Sequence, residues 1–193
     1  VDYDCVVVID EGLSTGLEIT TSTGDVEVEV PSGVMVDSIS IMSTTGDISV
    51  GLDQGSVLAG DVSLEATTGK VHLTMAELEL HEPVTVDMGS TTGGIHWTLI
   101  QTVRMDHGME LSLSATTGDV DLLMDIHGNG ARIESSTTTG DIQADRWVGF
   151  VGELEDMRSE NYPTPSDVEV DIGTSTGDVT IDARWTPTPL TSS

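Results

Sequence analysis

One short phrase recurs seven times in this chain, and it restricts the fold more than any other feature. It reads Ser/Thr/Ala, Ser/Thr, Thr, Gly, usually Asp, then a β-branched residue. The glycines are Gly24, Gly46, Gly69, Gly93, Gly118, Gly140 and Gly177, spaced 22, 23, 24, 25, 22 and 37 residues apart. Repeats with a period of about 20–50 residues belong to solenoids, propellers and arrays, where each unit buries its apolar face only by stacking on a neighbour.

The flanks of the phrase say what each unit is. With the glycine as zero, positions −7 and −5 are large and apolar in thirteen of fourteen cases, from Leu17/Ile19 to Val170/Ile172, with Ser135 as the exception. Positions +2 and +4 are apolar in all seven copies, from Val26/Val28 to Val179/Ile181. Alternation at period two marks half-buried strands. The parity changes across the glycine, so a straight strand would turn the two apolar sets to opposite faces. The phrase must therefore be a corner. Glycine accepts a positive φ, and Ser, Thr and Asp side chains bond nearby backbone groups. Each unit reads as strand, corner, strand and a return segment of variable length.

Two architectures satisfy this reading, a stacked coil and a row of antiparallel hairpins. The coil is favoured, because such units match one turn of a β-helix. The expected fold is all-β, a single-domain β-solenoid of about seven repeats. Consecutive copies would lie one above another about 4.8 Å apart, and the Thr at −1 would form a ladder of hydroxyls. Residues 1–13 are expected to be an N-terminal strand or cap and residues 14–183 the solenoid. An insertion at about 146–166 would form a flap over exposed rungs, and residues 184–193 a Pro/Thr-rich tail.

Composition bounds the function. Acidic residues number 34 against 6 Lys+Arg, a net charge of −28, and Lys70 is the sole lysine. Such a chain repels nucleic acid and anionic lipid heads, which need basic footprints. Acid enrichment with loss of lysine resembles proteins of salt-loving microbes, archaea above all, where salt screens the self-repulsion. Cys5, the only cysteine, cannot form an internal disulfide and sits in the apolar run Cys5-Val6-Val7-Val8-Ile9, as expected of a buried thiol. No stretch approaches the length of a membrane-spanning helix. The chain opens on Val1 rather than Met, consistent with a processed start or a chosen boundary.

Candidate chemistry is sparse. His72 and His96 share position +3 on consecutive copies, and Asp121 follows in the same column, so stacking would place two imidazoles where a metal could bridge them. The alternative is a solvated face. Position +1 carries Asp25, Asp47, Asp119, Asp141 and Asp178, interrupted by Lys70 and Gly94. This row invites loosely held cations, although no calcium-loop motif accompanies it. Lys70, in register beside Asp47, would relieve the repulsion of the row. No nucleophile–base constellation and no phosphate loop is visible, so no enzyme is expected and no cofactor.

These residues resemble the putative-adhesin, or toast-rack, family of β-solenoid domains. The likeness spans roughly residues 14–183, and Thr20 to Val34, with Thr23-Gly24-Asp25-Val26 at its centre, is its most typical stretch. The resemblance implies a surface or envelope-associated, non-enzymatic domain and offers no catalytic residues. The expectation is an extracellular structural or adhesive protein that self-associates into a filament or surface layer, without direct membrane insertion. Subunit contacts are expected from Val6, Val7, Val8, Trp147, Phe150, Trp185 and Leu190, because a solenoid has two ends to cover. The alternative is an envelope-associated module that recognises a glycan or peptide.

Overall fold

The computed structural model describes residues 14–187. Cys5, Val6, Val7, Val8 and Leu190 lie outside the described residues. Eighteen strands and no helix build the rest. Five copies come first: β1 (Ser14–Thr21) and β2 (Val26–Val30); β3 (Met35–Thr45) and β4 (Ile48–Leu52), with the short return strand β5 (Val57–Leu58); β6 (Val62–Thr68) and β7 (Val71–Ala76), with the return strand β8 (Glu79–Leu80); β9 (Val84–Thr92) and β10 (Ile95–Gln101); β11 (Met109–Thr117) and β12 (Val120–His127). The sixth copy is β13 (Ala131–Thr139) and β14 (Ile142–Val148), followed by β15 (Phe150–Glu153) and β16 (Asp156–Ser159). The seventh is β17 (Val168–Thr176) and β18 (Val179–Thr186).

The strands after the corners form one parallel seven-stranded sheet, and those before the corners form most of an eleven-stranded sheet. Both apolar sets face inward, as the parity change required. Leu73, Trp97, Leu122 and Ile181 stack in register through the core. All four are buried, and Trp97 is fully so at 0% exposure. Leu17, Ile19, Ile142 and Ala144, which belong to the outermost copies, are only partly buried against this core. Terminal rungs have a neighbour on one side only, which accounts for the difference.

The copies do not stack entirely in chain order. The seven-stranded sheet runs β2, β4, β7, β10, β12, β18, β14, so the seventh copy lies between the fifth and the sixth. Gly118 N–H donates to Thr176 O at 2.9 Å, and Gly177 N–H donates to Thr139 O at 2.9 Å. The expectation of sequential stacking thus holds for five copies and fails for the last two. The cause lies in the connection. After β14 the chain forms the antiparallel hairpin β15–β16, and β16 pairs antiparallel with Arg132–Glu134 of β13. The chain then returns to fill the space beside β11. Ser135, the exception in the apolar pattern, marks where the hairpin turn is tied. Its Oγ donates to Leu154 O at 2.7 Å, and its N–H donates to Glu155 O at 3.2 Å.

Candidate functional site

The repeated corner is the most highly ordered chemical feature of the molecule. All seven motif glycines have φ between 110° and 148°, a region that side chains avoid. They also touch. A Cβ placed on Gly46, Gly69, Gly93, Gly118, Gly140 or Gly177 would stand 2.0–2.2 Å from the carbonyl oxygen of the adjacent glycine in the column. Backbone packs on backbone here, so the residue is required twice over. The threonines at −1 align in register, as Thr45 with Thr68 and Thr117 with Thr176. Their side chains point to solvent, and the expected ladder of hydroxyls is absent among the described residues. The hydroxyl at −3 is the one in use. Ser90 Oγ donates to Gly69 O at 3.0 Å, Thr174 Oγ1 to Gly118 O at 3.1 Å and Thr137 Oγ1 to Gly177 O at 3.1 Å.

The aspartates at +1 form a second ladder. Asp25 Oδ1 accepts from Asp47 N–H at 2.9 Å, Asp47 Oδ1 from Lys70 N–H at 2.7 Å, Asp119 Oδ1 from Asp178 N–H at 2.9 Å and Asp178 Oδ1 from Asp141 N–H at 2.9 Å. Each carboxylate caps the backbone of the next rung. That role accounts for the recurring spacing of the acid from the glycine, and sequence reasoning missed it because the donating N–H lies 22 to 59 residues away. Lys70 joins the ladder through its main chain. Its ammonium takes part in no ion pair among the described residues, so the expected pairing with Asp47 is replaced by a backbone contact.

Beside this column lie the two histidines of position +3. The His72 and His96 rings are stacked, with centroids 4.8 Å apart and planes 5° from parallel. His72 Nε2 and Thr74 Oγ1 lie 2.9 Å apart, and His96 Nδ1 lies 3.9 Å from Asp121 Oδ2. Burial, and secondly the charge of His96, lowers the pKa of His72 below its ordinary value. Ring-nitrogen lone pairs lie in the ring planes, so parallel imidazoles direct them side by side rather than onto a common point. The structure brings His72, His96 and Asp121 together without giving them the convergence of a metal centre. A concavity of about 540 Å³ opens beside them, lined by Lys70, His72, Gly94, His96, Gly118 and Asp119.

The expected contact residues separate into two kinds. Phe150 and Trp185 turn inward, each 7% exposed, and Trp185 Nε1 donates to Asn129 O at 2.8 Å. Both are buried within the chain's own interior. Trp147 is outside at 40% exposure, with Val148 at 47% and Val151 at 56% beside it in sequence. This apolar surface lies on β14, the outermost strand of the seven-stranded sheet, and on β15, the outermost strand of the other. No helix among the described residues is long and apolar enough to cross a membrane.

Comparison with known proteins agrees with this architecture. A family model described as "Toastrack DUF4097" matches residues 14–182. A crystal structure of a "putative cell adhesion protein" from Clostridium sporogenes is similar at a TM-score of 0.50 and 11% sequence identity, covering 91% of this chain and 94% of that one. At that identity the likeness is one of fold. No curated protein matches the chain.

Proposed function

Because the chain belongs to the Toastrack DUF4097 family, we propose that it is a non-enzymatic, adhesin-like module of the cell surface, displayed outside the cell and acting structurally or adhesively. The observation that carries this reading is the exposed apolar side chains Trp147, Val148 and Val151 on the outermost strands at one end of a strongly acidic solenoid. Large exposed apolar side chains close together in sequence on a highly charged surface mark contact sites. The description of the Clostridium sporogenes protein as a cell adhesion protein is in keeping with it. Residues 14–183 would be the working domain, flanked by residues 1–13 and 184–193.

The finer form of this proposal is end-on self-association into a filament or surface layer. Head-to-tail contacts between different surfaces of identical chains build open polymers. The terminal rung offers the outer edge of β14, and the Asp141 carboxylate there caps no further rung among the described residues. The hairpin already covers Arg132–Glu134 of β13, so contact would fall on the corner, on β14 and on the outer strand β15 of the hairpin. Light scattering and electron microscopy at about 2 M salt, where charges are screened within about 2 Å, provide the test. The wild type should assemble, and Val148→Lys with Val151→Lys should remain monomeric with an unchanged β-rich circular dichroism spectrum. A wild type that stays monodisperse at every concentration removes the self-association reading. Failure of added protease to digest the protein on intact cells removes surface display. An envelope module recognising a glycan or peptide is the second reading, favoured by the concavity beside His72 and His96.

A further inference from the structure

The aspartate ladder fails at two consecutive rungs, and the failure leaves backbone donors without acceptors. Where residue 70 is lysine, Gly94 N–H meets no carboxylate, and where residue 94 is glycine, Asp119 N–H meets none. Neither N–H has a hydrogen-bond acceptor among the described residues, whereas the equivalent N–H groups of Asp47, Lys70, Asp178 and Asp141 are all capped. Gly94, which has no side chain to fill it, lines the 540 Å³ concavity together with Lys70, His72 and His96. Lys70, the only lysine of the chain, stands there with its ammonium in no ion pair among the described residues.

We propose that this gap is a binding site for a carboxylate carried by a ligand, which takes the place of the absent aspartate side chain. The same group occupies the equivalent position at four other rungs, at 2.7–2.9 Å from the N–H it accepts from. The donors of the site are therefore already arranged for a carboxylate. Seated in the gap, it accepts from Asp119 N–H, with Gly94 N–H, the Lys70 ammonium and the His96 ring alongside. The titratable and charged groups facing it are Lys70, His72 and His96 on one side and Asp119 and Asp121 on the other. The Asp119 carboxylate is engaged with Asp178 N–H at 2.9 Å, and Asp121 lies 3.9 Å from His96. The net charge of −28 repels any anion at long range. Screening shortens that repulsion from about 10 Å at 0.1 M salt to about 3 Å at 1 M. Binding therefore strengthens as salt is added, opposite to an ordinary cationic site. The site rests on the second reading above, a module that recognises a glycan or peptide, and stands apart from surface display and from self-association.

The test is an amide-resolved NMR titration of the full chain at about 2 M KCl. The probes are sodium glucuronate, N-acetyl-aspartate amide, sodium sulfate and uncharged methyl glucoside. Saturable shifts of the Gly94 and Asp119 amides with either carboxylate support the site. The tighter of the two identifies an acidic sugar or an acidic peptide as its source, and equal binding identifies the carboxylate itself. Lys70→Gln should weaken binding about tenfold, the effect expected from losing one charged partner. Gly94→Asp should abolish binding by supplying an internal carboxylate. Equal shifts at the capped amides of Asp47 and Asp178 would overturn the proposal. So would sulfate binding as tightly as glucuronate, response to neither carboxylate, or weaker binding at higher salt.

Discussion

Replacing Gly118 by alanine isolates the feature on which the stack depends. Gly118 has φ +147°, and a Cβ there would lie 2.1 Å from Gly93 O and 2.5 Å from Gly93 C. An unfavourable backbone conformation alone costs about 1–3 kcal/mol. The contact cannot be relieved by a side-chain rotation, because both atoms it meets are backbone. The rungs must separate instead, which loosens Gly93 N–H to Thr117 O and Ile95 N–H to Asp119 O, each at 2.9 Å. Two such bonds contribute about 0.5–1.5 kcal/mol each, so the total loss is about 2–6 kcal/mol. Gly33→Ala is the control. Its φ is +80°, yet nothing lies within 4 Å of the added Cβ, so only the conformational cost of about 1–3 kcal/mol remains. Urea unfolding at high salt, followed by circular dichroism, measures both. Gly118→Ala should lower the midpoint more than Gly33→Ala while the slope stays constant. Equal losses would show that close approach of the glycines contributes nothing, and the account of the corner would be wrong.

Two further outcomes follow from the corner and its neighbours. Asp47→Ala removes the acceptor of Lys70 N–H and should cost about 1 kcal/mol in high-salt urea unfolding, while Asp47→Asn, which keeps an acceptor oxygen, should cost less. A loss equal for both would assign the effect to charge instead of to the cap. His72, whose pKa is lowered from 6.5 first by burial and then by His96, favours its neutral form in the fold. Protons then bind the unfolded chain preferentially, so the stability linked to His72 falls as pH drops through 6.5 and levels off below the folded value. NMR titration should place the His72 midpoint under 6.5, and His96→Ala should move it part of the way back. A wild-type midpoint at or above 6.5 defeats this reading.

The repeat, the strand–corner–strand unit and the inward faces were all legible in the residues. Period-two alternation sets which side chains are buried, and glycine at a parity change requires a turn with positive φ. The 37-residue interval signalled an insertion, whereas Ser135 showed only as the one break in the apolar set, and its tie to the hairpin appeared in the structure alone. The order of the last two copies was not legible. Rungs that share one phrase pair through their backbones and present the same corner, so the pattern encodes register within a column but not which copy occupies which place. The hairpin on β13 and the length of chain that follows it make that choice. The capping role of the aspartates, the stacked histidines and the uncapped donors at Gly94 and Asp119 likewise exist only across rungs. Local chemistry determined what each unit is. Contacts between units distant in the chain decided what those units do for one another.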